Sequence, residues 1–250
     1  MIRIIYTILL MCFTLTVAAG SNSQYTAGND AYRNADYHKA IQLYHQALKS
    51  GPASEIYYNL ANSYYRTDNI PKAILYYEKA AKLNPLNSDI RHNIEIANNK
   101  TPDKLIYDTD SVIVLWYQYI LSLMTVNGWA YTAIIALGAA LVCFLLYLFL
   151  SNIYIRRLSF YISSVLLILF IFCNIFAWQR KEHITKSTDI IVMKEVTTIK
   201  SSPTYNAGNV CQIHEGSKLH ITDNDIKDWF GIRLPDGREG WITRKDVAEI

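Results

Sequence analysis

The sequence predicts a multidomain membrane protein: an all-α repeat solenoid, then a transmembrane helical hairpin, then an all-β small barrel. Three observations predict this order. Residues 27–85 contain an internal repeat with a shift of 33 residues, which carries residue 44 onto residue 77. Residues 128–150 and 158–178 are apolar stretches without a charged residue. Residues 189–250 alternate short β-branched runs with turn signals, a pattern typical of small all-β domains.

Residues 1–20 are predicted to be a secretory signal peptide. Arg3 supplies a positive start, an apolar run follows over residues 4–17, and the small residues Ala18, Ala19 and Gly20 offer a cleavage site. An uncleaved anchor is the alternative. Either arrangement would export the segment that comes next.

The two apolar stretches are each long enough to cross a hydrocarbon core of about 30 Å as a helix. The short connector between them, residues 151–157, forces the helices to run antiparallel. Trp129 and Trp178 lie at the outer ends, where indole rings favour the membrane interface. We therefore predict transmembrane helices over 128–150 and 158–178, with both outer ends on one side. Two buried helices of a soluble protein are the alternative.

The predicted location is the bacterial inner membrane, with two spans and with the repeat and barrel domains on the periplasmic side. An exported front segment and an even number of spans place the barrel outside and Arg156-Arg157 in the cytoplasm. Residues 101–127 are interpreted as a linker and an interfacial helix, the helix covering 112–126. A re-entrant segment or a third span over 112–126 is the alternative, and a third span would reverse the side of the barrel.

The repeat domain is predicted to cover residues 21–100, with helical pairs at 27–53 and 57–85 and a capping helix at 88–99. Small residues recur where the helices of a pair must approach closely, and a tyrosine fills the gap beside them. The equivalent pairs are Gly28 and Ala61, Ala40 and Ala73, Tyr44 and Tyr77, Ala47 and Ala80, and Pro52 and Pro85.

At these residues the stretch resembles the tetratricopeptide repeat family, a resemblance that implies protein binding. Two repeats and a cap are marginal in stability. We therefore expect membrane docking, self-association or a partner to complete the stack.

The first helices of such pairs line a concave face, where the resemblance implies a protein-binding site. Tyrosine, asparagine and arginine suit peptide recognition, since they offer rigid surface, amides for backbone groups and a fork for carboxylates. A solvated face without a ligand is the alternative. The candidate protein-binding residues are Asn29, Tyr32, Arg33, Tyr58, Asn59, Asn62, Tyr65 and Arg66.

Some members of that family hold a C-terminal carboxylate with a lysine–asparagine clamp. Asn29 and Asn59 fit the clamp pattern. Tyr25, however, stands where the first lysine should be, and Asp89 and Asn93 replace the later cations. We therefore expect that this chain does not bind free carboxyl termini.

Residues 189–250 are predicted to form a small barrel of six short strands. Asp236-Gly237 is a strong hairpin-turn signal between two of them. The block that closes on Gly240-Trp241 is similar to bacterial SH3-like domains, which implies a cell-wall or peptide binder. Tyr205, Trp229 and Trp241 are the candidate ligand face. Core packing is the alternative for each tryptophan, and it is favoured for Trp241.

The complete order of segments resembles the Bat-type aerotolerance operon protein E family of bacterial envelopes. That resemblance implies assembly with other Bat-type proteins that carry von Willebrand factor A domains, and a link to oxidative or envelope stress. The predicted function is a membrane-anchored scaffold that binds envelope or membrane proteins through the repeat groove. The alternative is a cell-wall sensor that binds peptidoglycan through the SH3-like domain.

No enzyme chemistry is expected from the sequence. A net charge of +3 without a Lys/Arg run does not suggest nucleic acid. His38 and His45 share a helix face but have no third ligand nearby, so no metal site is predicted. The chain has no Gly-rich phosphate loop and no G-x-S-x-G motif, and no cofactor is expected. Cys211 is predicted to be a buried single thiol.

Overall fold

The computed structural model describes residues 23–103, 112–186, 189–234 and 236–250. The predicted signal peptide and residues 104–111 of the linker lie outside these ranges. Within them, a helical front module, two long apolar helices and a C-terminal antiparallel sheet follow one another. The predicted multidomain fold class is confirmed.

The front module consists of the helices α1 (Ser23–Arg33), α2 (Tyr37–Ala47), α3 (Ser54–Arg66), α4 (Ile70–Leu83) and α5 (Ser88–Asn98). The second helix of each pair begins in the same way. The side chain of Asp36 accepts a hydrogen bond from the backbone of Lys39, and Asn69 accepts one from Lys72. Such N-caps satisfy backbone N–H groups that lack a partner inside the helix. The sequence repeat therefore extends to the turns.

Close helix packing depends on the small residues, as predicted. Ala40, Ala73 and Ala61 are fully buried, and the rings of Tyr44 and Tyr77 fill the neighbouring space. At Gly28 the two helices of the first pair approach closely, because an added Cβ would lie 2.7 Å from the ring of Tyr44.

The apolar region forms three helices: α6 (Val112–Ser122), α7 (Val126–Phe149) and α8 (Ile153–Thr185). By length and composition, α7 and residues 153–182 of α8 qualify as membrane spans. The α6 helix has 11 described residues, a length of about 17 Å that falls short of a hydrocarbon core of about 30 Å. It packs on the outer end of the hairpin, where the Trp129 indole donates a hydrogen bond of 3.2 Å to the Leu121 carbonyl.

Small residues hold α7 and α8 together. Ala133, Ala136 and Ala140 of α7 are buried, and the Ser163 hydroxyl of α8 donates a hydrogen bond of 3.0 Å to the Ala140 carbonyl. Close approach through small residues is typical of helix pairs in membranes. These small residues therefore serve the hairpin itself.

The C-terminal sheet is antiparallel and has the strand order β3-β2-β6-β5-β4-β1-β7. The sequence predicts six of these strands and misses the short β7. The predicted turn at Asp236-Gly237 joins β5 to β6. Within it, the backbone N–H of Gly237 donates a hydrogen bond of 2.9 Å to the Leu234 carbonyl. The strands are β1 (Asp189–Val192), β2 (Val196–Lys200), β3 (Asn209–His214), β4 (Lys218–Asp223), β5 (Trp229–Arg233), β6 (Glu239–Thr243) and β7 (Val247–Glu249).

The sheet packs directly against the repeats. Ile191 of β1 is fully buried in the hydrophobic core of the front module, with Met193 and Ala248 packed beside it. Nearby, the ammonium of Lys218 lies 2.9 Å from the carboxylate of Glu78 on α4. The repeat stack is therefore completed by the chain's own sheet, and not by the membrane, a second copy or a partner as expected from the sequence.

A turn and a loop make the second contact between the two modules. Gly216, between β3 and β4, has a φ of +81°, a conformation that favours glycine. A Cβ there would lie 2.6 Å from the methyl group of Thr101, which follows α5. Glycine thus permits both the turn and the close approach of the repeat module.

The hairpin joins the repeat module through Arg180. This side chain is 4% exposed, and its guanidinium donates hydrogen bonds to the carbonyls of Lys82 at 3.0 Å and Leu83 at 3.2 Å. These carbonyls belong to the last turn of α4, where helix carbonyls lack partners and a positive charge is favourable. Lys82 in turn donates to the carbonyl of Ile250 at 2.9 Å. The repeats and the sheet therefore lie at the same end of the hairpin.

Candidate protein-binding groove

The concave face is formed by the first helices of the pairs, α1 and α3, together with α5. Its floor contains a hydrogen-bonded cluster centred on Asn29. The Asn29 carbonyl oxygen accepts from the Tyr44 hydroxyl at 2.8 Å and from the Asn59 amide at 3.0 Å. The Asn59 amide also lies 3.3 Å from the Tyr25 hydroxyl. One asparagine thus ties α1 to α2 and to α3.

The same cluster recurs one repeat later, centred on Asn62. Its carbonyl oxygen accepts from the Tyr77 hydroxyl at 2.5 Å and from the Asn93 amide at 3.2 Å. The Asn93 amide also donates to the Tyr58 hydroxyl at 3.0 Å. The two clusters show that the sequence repeat is also a repeat of polar contacts.

In these clusters the predicted binding residues Asn29, Asn59 and Asn62 form hydrogen bonds between the helices of the repeats. Burial raises the pKa of Tyr44 and of Tyr77, so both phenols remain protonated donors. The amide hydrogens of Asn59 point to Asn29 and Tyr25 rather than to a ligand. These contacts position Asn59 on the floor of the groove, and the expectation that the groove does not bind free carboxyl termini stays a prediction.

Above the first cluster lies a cavity of about 240 Å³. Of the predicted binding residues, Tyr58 and Asn59 line it. The other lining residues come from all three helices and from the loop before α5: Tyr25, Ser54, Glu55, Asn84, Asn87 and Ile90.

Four of the other predicted residues lie at the opposite ends of α1 and α3: Tyr32, Arg33, Tyr65 and Arg66. Tyr32 packs edge-on against Tyr37 with ring centroids 5.3 Å apart, and the Lys100 ammonium lies 4.3 Å from the centroid of the Tyr65 ring. Arg33 lies 3.5 Å from Asp30 in an exposed ion pair. A hydrogen bond with Tyr32 raises the pKa of Arg66, which is exposed. This end of the groove is therefore aromatic, and two of its cations, Arg33 and Lys100, are paired with Asp30 and Asp68.

Sequence reasoning did not count three residues that shape the groove among the binding residues: Glu55, and Tyr25 and Asn93, which it noted only as departures from the carboxylate clamp. A signal for two of them was present. The shift that aligns the repeats carries Tyr25 onto Tyr58, and a shift of one more residue carries Asn59 onto Asn93. Repetition thus marks contact-forming residues as well as small ones.

The candidate ligand face of the sheet is smaller than expected. Trp229, rather than Trp241, is the buried ring, with an exposed fraction of 5%. It lies in β5, where four successive residues are buried, whereas Trp241 is half-buried in β6. Tyr205 is well exposed, with its ring 5.2 Å from that of Trp229 and 5.6 Å from the Lys245 ammonium. The accessible part of this face is therefore Tyr205 and the free side of Trp241.

Of the histidine pair His38 and His45, His45 lies among tyrosine side chains. Among the described residues, no group of three or more His, Cys, Asp or Glu side chains is placed to hold a metal ion. His45 instead packs in a tyrosine cluster, with its Nε2 atom 2.9 Å from the Tyr64 hydroxyl. Burial, with a smaller contribution from Lys72, lowers the pKa of His45. A neutral, packed imidazole is the consequence.

The comparisons with known proteins bear on the front module. Residues 25–88 match the family model of the tetratricopeptide repeat, and the match includes both helical pairs. No curated protein matches the chain. The stretch with the Asn29 and Asn62 clusters is thus a tetratricopeptide-repeat region, the protein-interaction fold that its sequence resembles.

Proposed function

We propose that this protein is a membrane-anchored scaffold of the bacterial envelope that binds protein partners through the concave face of its repeats. The observation that carries the proposal is the asymmetry of the repeat module. The sheet packs on α4 through Ile191 and Lys218, while the concave face keeps a cavity lined by Tyr58 and Asn59. The side that repeat proteins use for binding is therefore the side left open.

The exposed surface of α7 and α8 supports anchoring in a membrane. In the 18-residue apolar stretch of each helix, only 17% of the residues of α7 and 11% of those of α8 are buried within the protein. Large apolar side chains such as Ile135, Phe149 and Val165 are exposed along both helices. A core helix of a soluble protein would be covered by other parts of the chain, whereas lipid covers such a surface in a bilayer.

The periplasmic side of the inner membrane is the proposed location of both folded modules. The apolar segment at residues 4–17 supports export of the repeats, and the two spans return the chain to the same side. The contacts from Arg180 to α4 suit this topology, because they need the repeats at the outer end of the hairpin.

The proposed partners are other Bat-type proteins with von Willebrand factor A domains, in a complex that acts in aerotolerance or envelope stress. The resemblance of the segment order supports this assignment, with an SH3-like domain as the C-terminal module. A scaffold role suits the chain, since the groove offers surface for binding rather than a catalytic group.

Photo-crosslinking in living cells tests the scaffold proposal. A photoreactive residue at position 58, in the groove, should give a discrete adduct with one envelope or membrane protein. The control is position 49, where Lys49 is exposed outside the groove. Equal adducts from both positions, or none from position 58, would contradict the proposal.

The cell-wall sensor is tested by sedimentation of the full chain with purified peptidoglycan. This alternative depends on the exposed ring of Tyr205 beside Trp229 and Lys245. Pelleting that is lost in Tyr205→Ala and kept in Tyr131→Ala, a change on the exposed surface of α7, would favour the sensor.

A further inference from the structure

A second, larger cavity lies where the repeat module meets the outer end of the hairpin. It measures about 600 Å³ and is mainly apolar. Leu86 lines it on the repeat side, and Leu123 and Met124 line it on the side of the α6–α7 turn. All three side chains are exposed. Since α7 begins at Val126 and qualifies as a membrane span, this cavity opens at the level of the membrane surface.

The two cavities are continuous along the first turn of α3. Ser54, Glu55 and Asn84 line both of them. The groove of the repeats therefore opens toward the outer end of the hairpin. A chain leaving the bilayer beside α7 would pass the apolar cavity first and reach Tyr58 and Asn59 next.

The path formed by the two cavities and the rest of the groove carries different charged side chains at its two ends. Among the described residues that line the two cavities, Glu55 is the one charged side chain. It is exposed and lies in the first turn of α3. Arg66 lies 11 residues further along the same helix, about 17 Å away by helical rise. The path thus offers the Glu55 carboxylate near the membrane and the Arg66 guanidinium at its far end.

We propose that the occupant of this path is the juxtamembrane segment of a partner membrane protein, with a Lys or Arg that pairs with Glu55. Apolar residues at the end of the partner's span contact Leu86, Leu123 and Met124. The cation that follows meets the carboxylate of Glu55, and the extended chain continues past Tyr58. Charge complementarity and the continuity of the path with the membrane surface carry the assignment, which rests on the proposed scaffold function.

Peptide selection tests the charge preference. The full chain in lipid nanodiscs is presented with a random library of short peptides whose termini are both blocked. The retained pool should be enriched in Lys or Arg. Glu55→Gln should weaken the retained peptides by about tenfold, the effect of losing one charge-assisted contact, and Glu55→Lys should shift the enrichment to Asp and Glu. The control Glu95→Gln removes an exposed carboxylate of α5 and should leave the pool unchanged.

Crosslinking from the larger, apolar cavity tests whether the partner follows this path. A photoreactive residue at position 86 should capture the same membrane protein that position 58 captures. A lipid adduct at position 86, a soluble protein at position 58, or a retained pool without basic residues would overturn this inference and leave the scaffold intact. Absence of both adducts and of any retained peptide would instead overturn the scaffold function itself.

Discussion

The carboxylate of Asp103 holds His214 by two contacts across 111 positions of the chain. Its Oδ2 atom accepts a hydrogen bond of 2.7 Å from the His214 backbone, and its Oδ1 atom lies 2.9 Å from the imidazole Nδ1. Ser217 donates a third bond, of 3.0 Å, to Oδ2. Because Asp103 follows the capping helix and His214 ends β3, this residue pair joins the repeat module to the sheet.

Replacement of Asp103 should destabilise the protein in a pH-dependent way. Burial alone would raise the pKa of Asp103, but hydrogen bonds from His214 and Ser217 hold it below the ordinary value of 3.8. A depressed pKa stabilises the folded state above the ordinary value, and that stability is lost as the pH falls through the folded pKa. Asp103→Ala should therefore cost about 1–3 kcal/mol near neutral pH.

The measurement is the thermal midpoint of the full chain in detergent as a function of pH. The gap between the wild type and Asp103→Ala should be constant near neutrality and should narrow as the pH falls below the ordinary aspartate pKa and through the folded one. Asp225→Ala, at an exposed loop position, should show no gap. A gap that stays the same in acid would show that the charge of Asp103 does not matter.

The two asparagine clusters should contribute equally to stability. Asn29→Ala and Asn62→Ala each remove an acceptor that serves one tyrosine hydroxyl and one asparagine amide. Each change should cost about 1–3 kcal/mol, because a part-buried hydroxyl loses its partner. Thermal unfolding compares the two variants with Asn34→Ala, which alters an exposed turn residue. Unequal losses would mean that one repeat carries more of the fold than its geometry indicates.

Gly28 should not tolerate a side chain. In Gly28→Ala the new methyl group would meet the buried ring of Tyr44, whose hydroxyl is held by Asn29. Such overpacking costs about 1–3 kcal/mol, more than the gain in helix propensity of about 1 kcal/mol. Gly138→Ala on α7 is the matched control, since nothing lies within 4 Å of its added Cβ. A melting temperature that rises in Gly28→Ala would refute the packing argument.

Arg180 should fix the orientation of the repeats on the hairpin. Arg180→Ala leaves the carbonyls of Lys82 and Leu83 without their donor. Spin labels at exposed positions 39 and 131 report the distance between the repeats and α7 in nanodiscs. The distribution should broaden in Arg180→Ala and stay narrow in Arg156→Ala, which lies at the other end of the hairpin. An unchanged distribution would assign the coupling to the sheet contacts alone.

Much of the local structure could be predicted because its causes are local. The repeat helices, the hairpin and the Asp236-Gly237 turn follow from small-residue spacing, uncharged length and turn chemistry, all of which are readable within a short window. The short strand β7 was missed, because three residues carry too little pattern to predict a strand. The sequence also favours core packing for Trp241, whereas the buried ring is Trp229. The burial of a ring depends on which strands flank its own strand in the sheet, and the local sequence does not specify those neighbours.

The sequence by itself determined the order and type of the modules, and it identified the helices that line the concave face. Only the tertiary structure decided how these modules meet. Ile191 enters the core of the repeats, Lys218 pairs with Glu78, and Arg180 binds the end of α4. These contacts join residues that are far apart in the chain, and each depends on the shape of both surfaces. No local periodicity encodes such a match, so the open groove and the covered back of the repeats emerge only when the chain is folded.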